Sequence, residues 1–252
     1  MDRLIHTAYS GMHSSAVQMR VIASNMANAQ TTGVRAELLA TTPMTLKGPS
    51  LETRAMTSGT VRGASMQQGA LMATGKALDV ALQGEGMLAV QAEDGSEAYT
   101  RRGDLAISPG GVLQNGEGRP VIGEGGPITV PLGSKVTIAP DGGVSVANPE
   151  APDQPPQLVG RIKLASTAGS RIEKGLDGLF RVTGPDGRAT GGVLPQDETA
   201  RLAVGTLEQS NVDPTRVLVD MIEAQRLFEM RTKVIAQTKE IDESSASLMR
   251  VS

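Results

Sequence analysis

An apolar heptad pattern near the N-terminus is the feature that most restricts how this chain can fold. Two rows of residues recur every seven positions: Ile5, Met12, Met19 and Met26, and then Ala8, Ser15 and Ile22. A period of about 3.5 residues is typical of a helix that packs one side against another helix. Turn-forming residues at 28–33, ending in Gly33, interrupt the pattern. We therefore predict a helix over about residues 4–28.

The other faces of this predicted helix carry almost no charge. Between Leu4 and Val34 the one charged side chain is Arg20, and most remaining positions are small and uncharged. A helix face in water is normally charged. The pattern indicates contact on several sides or a face that lines a water-filled lumen. A simple amphipathic helix packed on its own domain is the alternative.

A second helix is predicted near the C-terminal end, over about residues 213–248. Asp213 followed by Pro214 is a typical helix start, because Asp caps free backbone amides and Pro fits the first helical position. Two adjacent apolar rows follow: Met221, Phe228 and Ile235, and then Leu227, Val234, Ile241 and Leu248. The remaining surface is densely charged, so one face is apolar and the other is solvated.

The region between the helices reads as short strands separated by Gly and Pro. The sequences at 109–111, 141–143 and 185–187 are typical hairpin turns. Aromatic residues make up only 2% of the chain, so the core must be aliphatic, which favours thin β layers. We predict an α+β fold in which paired terminal helices (1–30 with 211–252) form a coiled-coil-like domain. Residues 31–74 are predicted to be an extended connector, and residues 75–210 a β-rich domain.

Composition excludes several classes of function. The chain has no cysteine, which rules out disulfides and thiolate chemistry, and its net charge of −3 includes no basic run for a nucleic acid. It has no apolar run long enough to insert into a membrane and no pattern of a cleaved signal peptide. His6 and His13 are seven positions apart, about 10 Å on a helix, which is too far for a shared metal ion. We predict no catalytic, cofactor or metal site.

Four short motifs occur in order along the chain. Residues 23–35 read ASNMANAQTTGVR, residues 78–90 read LDVALQGEGMLAV, residues 99–105 read YTRRGDL, and residues 207–212 read LEQSNV ahead of RLFE at 226–229. Together they resemble the signatures of the flagellar rod and hook protein family. The residues that carry the resemblance are Asn25, Asn28, Thr32, Gly33, Asp79, Gly84, Gly86, Tyr99, Arg101, Gly103, Glu208, Ser210 and Asn211. Aliphatic residues replace the family's aromatic residues at Val34, Met87, Leu88 and Leu105, which affects only local packing.

The resemblance implies a structural subunit of the bacterial flagellar rod, not an enzyme. Length and N-terminal sequence are most similar to the proximal-rod type. A distal-rod or hook-type axial subunit is the close alternative, and a β-rich extracellular binding module a more distant one. The resemblance implies that the helices form an inner domain and that the middle of the chain forms an outer domain. Its implied partners are other rod subunits, copies of itself and the flagellar type III export apparatus. Its implied location is the periplasmic rod of the basal body, reached without a cleaved signal peptide.

The heptad rows give the residues expected to pack helices or subunits together. These are Ile5, Met12, Met19, Ile22, Met26, Met221, Phe228, Val234, Ile235 and Ile241. We expect the row that begins at Ile5 to meet Phe228, Val234, Ile235 and Ile241 of the second helix. The connector is expected to bridge to neighbouring subunits.

Overall fold

The computed structural model describes residues 2–47, 52–148, 154–184 and 190–250. Within these ranges it describes the side chains of all residues except 2–6, 43–47, 52–58, 62 and 242–250. Within these ranges the chain has an α+β fold with two terminal helices and eighteen short or medium strands between them. The helices are α1, Asp2–Ala27, and α2, Pro214–Arg250. Both lie within two residues of their predicted bounds.

The strands follow one another closely along the chain. They are β1 Glu37–Lys47, β2 Glu52–Ala64, β3 Leu71–Ala73, β4 Val80–Gln83, β5 Met87–Gln91, β6 Glu97–Thr100, β7 Leu105–Ile107, β8 Leu113–Asn115, β9 Ile122–Gly123, β10 Gly126–Pro127, β11 Lys135–Ile138, β12 Gly143–Ala147, β13 Gln157–Arg161, β14 Leu164–Ala165, β15 Ile172–Lys174, β16 Phe180–Val182, β17 Arg201–Val204 and β18 Thr206–Glu208. The chain divides into two compact units. Unit 1 holds both helices and Glu37–Gly63, and unit 2 holds Gln30–Ala36 and Ala64–Asn211.

In unit 1, α1 is covered on two sides. One side faces β1 and β2: the amide of Asn25 donates to the carbonyl of Glu37 (3.0 Å), and a Cβ atom placed on Gly59 would lie 3.0 Å from Oγ of Ser14. The other side faces α2, where Arg231 reaches the helix at Ser15. This arrangement explains the lack of charge on α1, since two of its faces are covered within the same chain.

The long strands β1 and β2 pair with each other, although the weak periodicity of residues 31–74 predicted only an extended connector. Their sequences are rich in Thr, Met and Ala and lack the regular alternation of a strand with one buried face. The assignment of domain boundaries at 30, 74 and 210 and the bridging role of the connector stay predictions.

The start of α2 follows the predicted capping pattern. Oδ1 of Asp213 accepts hydrogen bonds from the backbone N–H groups of Thr215 (2.9 Å) and Arg216 (3.2 Å). Pro214 occupies the first helical position, where the missing N–H costs nothing. The side chain at position 213 therefore fixes where α2 begins.

Unit 2 is built from several small sheets around two apolar cores. A five-stranded sheet has the order β14-β5-β6-β16-β15, a three-stranded sheet has the order β11-β12-β13, and the pairs β3/β18, β4/β17, β7/β8 and β9/β10 complete it. Central strand β5 is buried on both faces: Leu88 and Val90 enter the larger core, while Met87 and Ala89 enter the smaller one. This double burial explains why β5 reads as a continuous apolar run.

Most predicted turns lie between paired strands. Residues 109–111 connect β7 to β8, and residues 141–143 lead from β11 into β12, with Gly111 and Gly142 at positive φ angles of 80° and 83°. The third predicted turn, at 185–187, falls outside the described residues, as does part of the predicted loop at 148–157.

Candidate functional site: assembly surfaces and a buried charged cluster

The exposed face of α1 is a narrow stripe with little charge. Apart from Thr7, the exposed positions whose side chains are described recur alternately four and three residues apart: Tyr9, His13, Ala16, Arg20, Ala23 and Ala27. Only Arg20 carries a full charge at neutral pH. A solvated helix face of this length is normally rich in charge, so the stripe has the chemistry of a contact surface.

The exposed side of α2 carries six large apolar residues among its charges. They are Leu218, Val219, Ile222, Met230, Val234 and Ile241. Val234 and Ile241, which were expected to face α1, are 53% and 58% exposed. Single exposed apolar residues are common, but six on one helix form a surface suited to another protein.

The least exposed side of α2 includes one of the two apolar rows of the sequence, Met221, Phe228 and Ile235, but not the other. Together with Val217, Ala224, Arg231 and Thr238, these residues form a seam row, spaced alternately four and three residues apart. Arg231 lies on this side of α2 and Val234 does not, and Nη1 of Arg231 donates to the carbonyl of Gly11 and to Oγ of Ser15. Sequence reasoning missed Arg231 because it counted only apolar residues as seam positions.

A buried charged cluster lies in unit 2, where three of the sequence motifs meet. Oε1 of Glu208 lies 2.8 Å from Nη2 of Arg35, and its Oε2 lies 3.2 Å from Nη1 of Arg101. The side chains of all three residues are at most 1% exposed. Oε1 also accepts a hydrogen bond from the backbone N–H of Gly69 at 2.9 Å. One carboxylate therefore ties together three distant parts of the chain.

The two guanidinium groups also bind backbone carbonyls. Arg101 donates to the carbonyl of Leu82 at 3.1 Å and to that of Gly84, while Arg35 donates to the carbonyl of Gln67. Burial lowers the pKa of Arg101 to about 10, against the opposing attraction of Glu208. Burial also lowers the pKa of Arg35, and Glu208 again opposes the shift. The burial of both cations is thus unfavourable by itself, and Glu208 makes it tolerable.

Close backbone approach around the cluster requires glycine at two signature positions. Gly33 has φ of 69° and donates its N–H to the carbonyl of Glu208 at 2.8 Å. Position 33 has no room for a side chain, because a Cβ would lie 2.5 Å from the carbonyl carbon of Arg101. A Cβ on Gly103 would lie 1.8 Å from the carbonyl oxygen of Val80. Any other residue at either position would push the two backbone segments apart.

Asn211 holds the segment next to the cluster through three backbone groups. Its Oδ1 accepts from the N–H of Ala36 at 2.7 Å, and its Nδ2 donates to the carbonyls of Ser65 (3.1 Å) and Gln67 (2.7 Å). The side-chain amide of Asn211 thus provides hydrogen bonds to backbone groups that would otherwise need a partner from a neighbouring strand. The residues that enter and leave unit 2 are therefore fixed next to each other.

Other signature residues perform local structural tasks. Asn25 exchanges two hydrogen bonds with the backbone of Glu37, and Asn28 donates to the carbonyl of Ser24 at 2.9 Å near the end of α1. Asp79 accepts from the hydroxyl of Thr74 at 2.6 Å. Tyr99 is buried, Gly84 lies in a turn at a positive φ of 79°, and Ser210 is half-buried. A Cβ atom placed on Gly86 would lie 3.4 Å from the carbonyl oxygen of Ala165. Thr32 is half-buried.

The predicted packing residues divide into three groups. Ile22 is buried, while Met12, Met19, Met26, Met221, Phe228 and Ile235 are half-buried. Val234 and Ile241 are exposed, and the side chain of Ile5 lies outside the described residues. The structure also adds a buried row that the heptad analysis missed, namely Ser10, Ser14, Val17 and Val21. Its sequence signal was the uncharged, small character of α1, which indicated contact on a second side.

Comparison with known proteins identifies the family. The family model described as "Flagellar basal body rod FlgEFG protein C-terminal" matches residues 203–248, and "Flagellar hook protein FlgE/F/G D1 domain" matches residues 81–146. The chain is 44% identical over 252 residues to the flagellar basal-body rod protein FlgF of Salmonella typhimurium, covering 100% of both chains. The chain belongs to the flagellar basal-body rod protein family. It is also 45% identical to FlgF of Escherichia coli K12 (94% of each chain), and 30% identical to the rod protein FlgG of Bacillus subtilis (99% of this chain and all of that one).

The family to which the chain belongs is one of structural proteins, and neither matching family model is that of an enzyme. Within the described part of the chain, no three His, Cys, Asp or Glu side chains are grouped so that they could hold a metal ion. Neither described helix is both long and apolar enough to cross a membrane. The family matches cover residues 81–146 and the end of unit 2 together with most of α2, so Arg101, Glu208 and the second helix lie in matched regions, whereas Arg35 lies outside them.

Proposed function

We propose that this chain is a structural subunit of the proximal flagellar rod, which assembles through its terminal helices into a tube that transmits torque and conducts exported subunits. The observation that carries the proposal is the full-length identity of 44% with FlgF, against 30% with FlgG. The exposed apolar residues of α2 support it, because a subunit of a polymer needs surfaces that are covered only by its neighbours.

The helices are proposed to pair in a coiled-coil-like manner and to form the inner part of the subunit. The alternating four- and three-residue spacing of the least exposed positions on α2 supports this arrangement. The stripe on α1 from Tyr9 to Ala27 and the apolar residues of α2 would then contact neighbouring copies or other rod subunits. Residues 31–74 are proposed to bridge to a neighbour, and residues 75–210 to pack laterally.

The subunit is proposed to reach the periplasmic rod through the flagellar type III export apparatus. Export in an unfolded state suits a chain without cysteine, because no disulfide has to be made or broken. The proximal position is favoured over the distal one by the difference in identity between the two relatives. Labelled subunits in isolated basal bodies would decide the position: label at the distal end of the rod would refute the proximal assignment.

The role of the exposed apolar surface can be tested with two adjacent substitutions. Val234→Asp places a charge on a surface that is mostly exposed in the single chain, so the purified subunit should keep its unfolding temperature. Expressed in a strain that lacks the native gene, the variant should fail to restore swimming. Lys233→Glu, one position earlier and also exposed, is the matched control and should swim.

Two outcomes would contradict these proposals in different ways. Swimming by the Val234→Asp strain at the wild-type rate would show that this surface is not covered in the assembly. Normal swimming by the strain that lacks the gene altogether would refute the rod function itself.

A further inference from the structure

One charged residue occupies the otherwise uncharged seam row of α2. Of the seven positions in the row that runs from Val217 to Thr238, only Arg231 carries a charge. Among residues 7–27 of α1, whose side chains the structure describes, no carboxylate is available to pair with it, because the single charged side chain there is the exposed Arg20. The partners of Arg231 on α1 are therefore neutral.

Arg231 contacts α1 at Gly11 and at Ser15, one turn later. Its Nη1 donates both to the carbonyl of Gly11 and to Oγ of Ser15, which is 1% exposed. A Cβ on Gly11 would lie 3.6 Å from Nε of Arg231, so the guanidinium rests directly on the helix surface. Two hydrogen bonds to neutral groups compensate only partly for the water that the cation loses.

We propose that Arg231 is the positioning residue that fixes the register between α1 and α2, at some cost in stability. The proposal rests on the helix pairing put forward above. Both helices repeat every seven residues, so apolar contacts alone favour several registers almost equally. A polar residue at one seam position is the usual device that singles out one register.

The sequence of α1 offers this cation only one suitable place. A slip of one heptad along α1 would move Arg231 from Gly11 and Ser15 to Gln18 and Ile22, or to Leu4 and Ala8. Neither alternative combines a residue without a side chain with a hydroxyl group one turn later. The guanidinium would then lose a hydrogen bond in a partly buried seam, which disfavours the slipped register. In a rod built from related subunits, this preference would also favour pairing within the chain.

The absence of cysteine allows the register to be measured directly. Spin labels at His13→Cys and Lys233→Cys, both exposed positions, report the distance between the helices in the purified full-length chain. A second pair, Ala23→Cys with Lys233→Cys, reads the same offset from a point about 15 Å farther along α1. The unsubstituted seam should give one narrow distance distribution for each pair.

The seam variants then separate register from stability. Arg231→Met should add a second distance population, shifted by up to about 10 Å because one heptad spans that length. Its helices should unfold at the same temperature as the parent or higher. Arg231→Lys should keep most molecules at the parent distance, and Arg226→Met, an exposed Arg on the same helix, should leave both distributions unchanged.

Each failure has a distinct meaning. A broad distribution with the unsubstituted seam would refute the helix pairing itself. A single narrow distribution in Arg231→Met, with the parent also narrow, would overturn the role of Arg231 and leave the pairing intact. The same second population in Arg226→Met would also overturn it, since the effect would not be specific to the seam.

Discussion

Glu208→Gln is the substitution that most directly tests how unit 2 is held together. Glu208 is the carboxylate that faces the guanidinium groups of Arg35 and Arg101, and all three side chains are at most 1% exposed. Gln has nearly the same size, and its carbonyl oxygen can still accept the N–H of Gly69. The substitution therefore removes a charge and changes little else.

The expected cost follows from the burial of the two cations. Breaking a buried ion pair by removing one partner typically costs about 3–5 kcal/mol, because the other charge stays buried. Solvent screening is slight at this site, and two cations lose their counter-charge, whereas the Gln carbonyl still accepts one hydrogen bond. We expect a loss of about 4 kcal/mol in the free energy of unfolding of unit 2. For a domain of this size, that corresponds to a fall of roughly 8–16 °C in the unfolding temperature.

The assay must report unit 2 alone. Tyr9→Phe leaves Tyr99, in the smaller core of unit 2, as the single tyrosine, so its fluorescence can follow unfolding in urea, which does not screen charges. Glu117→Gln is the control: its side chain is 40% exposed and it pairs with Arg102 at 3.2 Å. The control should lose less than about 1 kcal/mol. A Glu208→Gln variant within about 1 kcal/mol of the control would refute the reasoning.

Two further predictions concern the same unit. Gly33→Ala should lower the free energy of unfolding by about 2–4 kcal/mol, because it adds a clash with the Arg101 backbone to the strain of a positive φ. The control Gly95→Ala should lower it by only about 1 kcal/mol, because Gly95 has φ of 80° but no atom lies within 4 Å of the new Cβ. Equal losses in urea unfolding would contradict the close approach at position 33. Burial raises the pKa of the Tyr99 hydroxyl above its usual value, so the unfolded chain releases this proton first and stability should fall as pH rises above about 10. In Tyr9→Phe, tyrosinate absorbance should therefore appear only with the loss of native circular dichroism; ionisation near pH 10 in a folded chain would contradict this.

Elements with a local signal could be predicted from the sequence. The heptad rows and the Asp213-Pro214 pair placed both helices within two residues of their bounds. Turn glycines such as Gly111 and Gly142 marked hairpins, because a positive φ at a tight turn leaves glycine as the favoured residue. Each of these features depends on residues that are close together along the chain.

Features that depend on distant residues could not be predicted in the same way. Arg101 follows Arg35 by 66 positions and precedes Glu208 by 107 positions, and no local pattern shows that the three side chains meet. Their signal was indirect: each is a charged residue inside a short motif of the family. Arg231 was missed for another reason, because a cation at a seam position breaks the apolar pattern by which seams are recognised.

The distribution of polarity in unit 1 differs from that usual in a stand-alone domain. Ser10, Ser14 and Ser15 are buried on α1, while large apolar side chains such as Ile222 and Met230 are exposed on α2. Small serines allow helices to approach closely, but their burial removes little apolar surface from water and so contributes little stability. The exposed apolar side chains contribute only when a neighbour covers them. We infer that burial of these side chains by neighbours adds stability to the terminal helices, so that subunits are most stable where they are part of the rod.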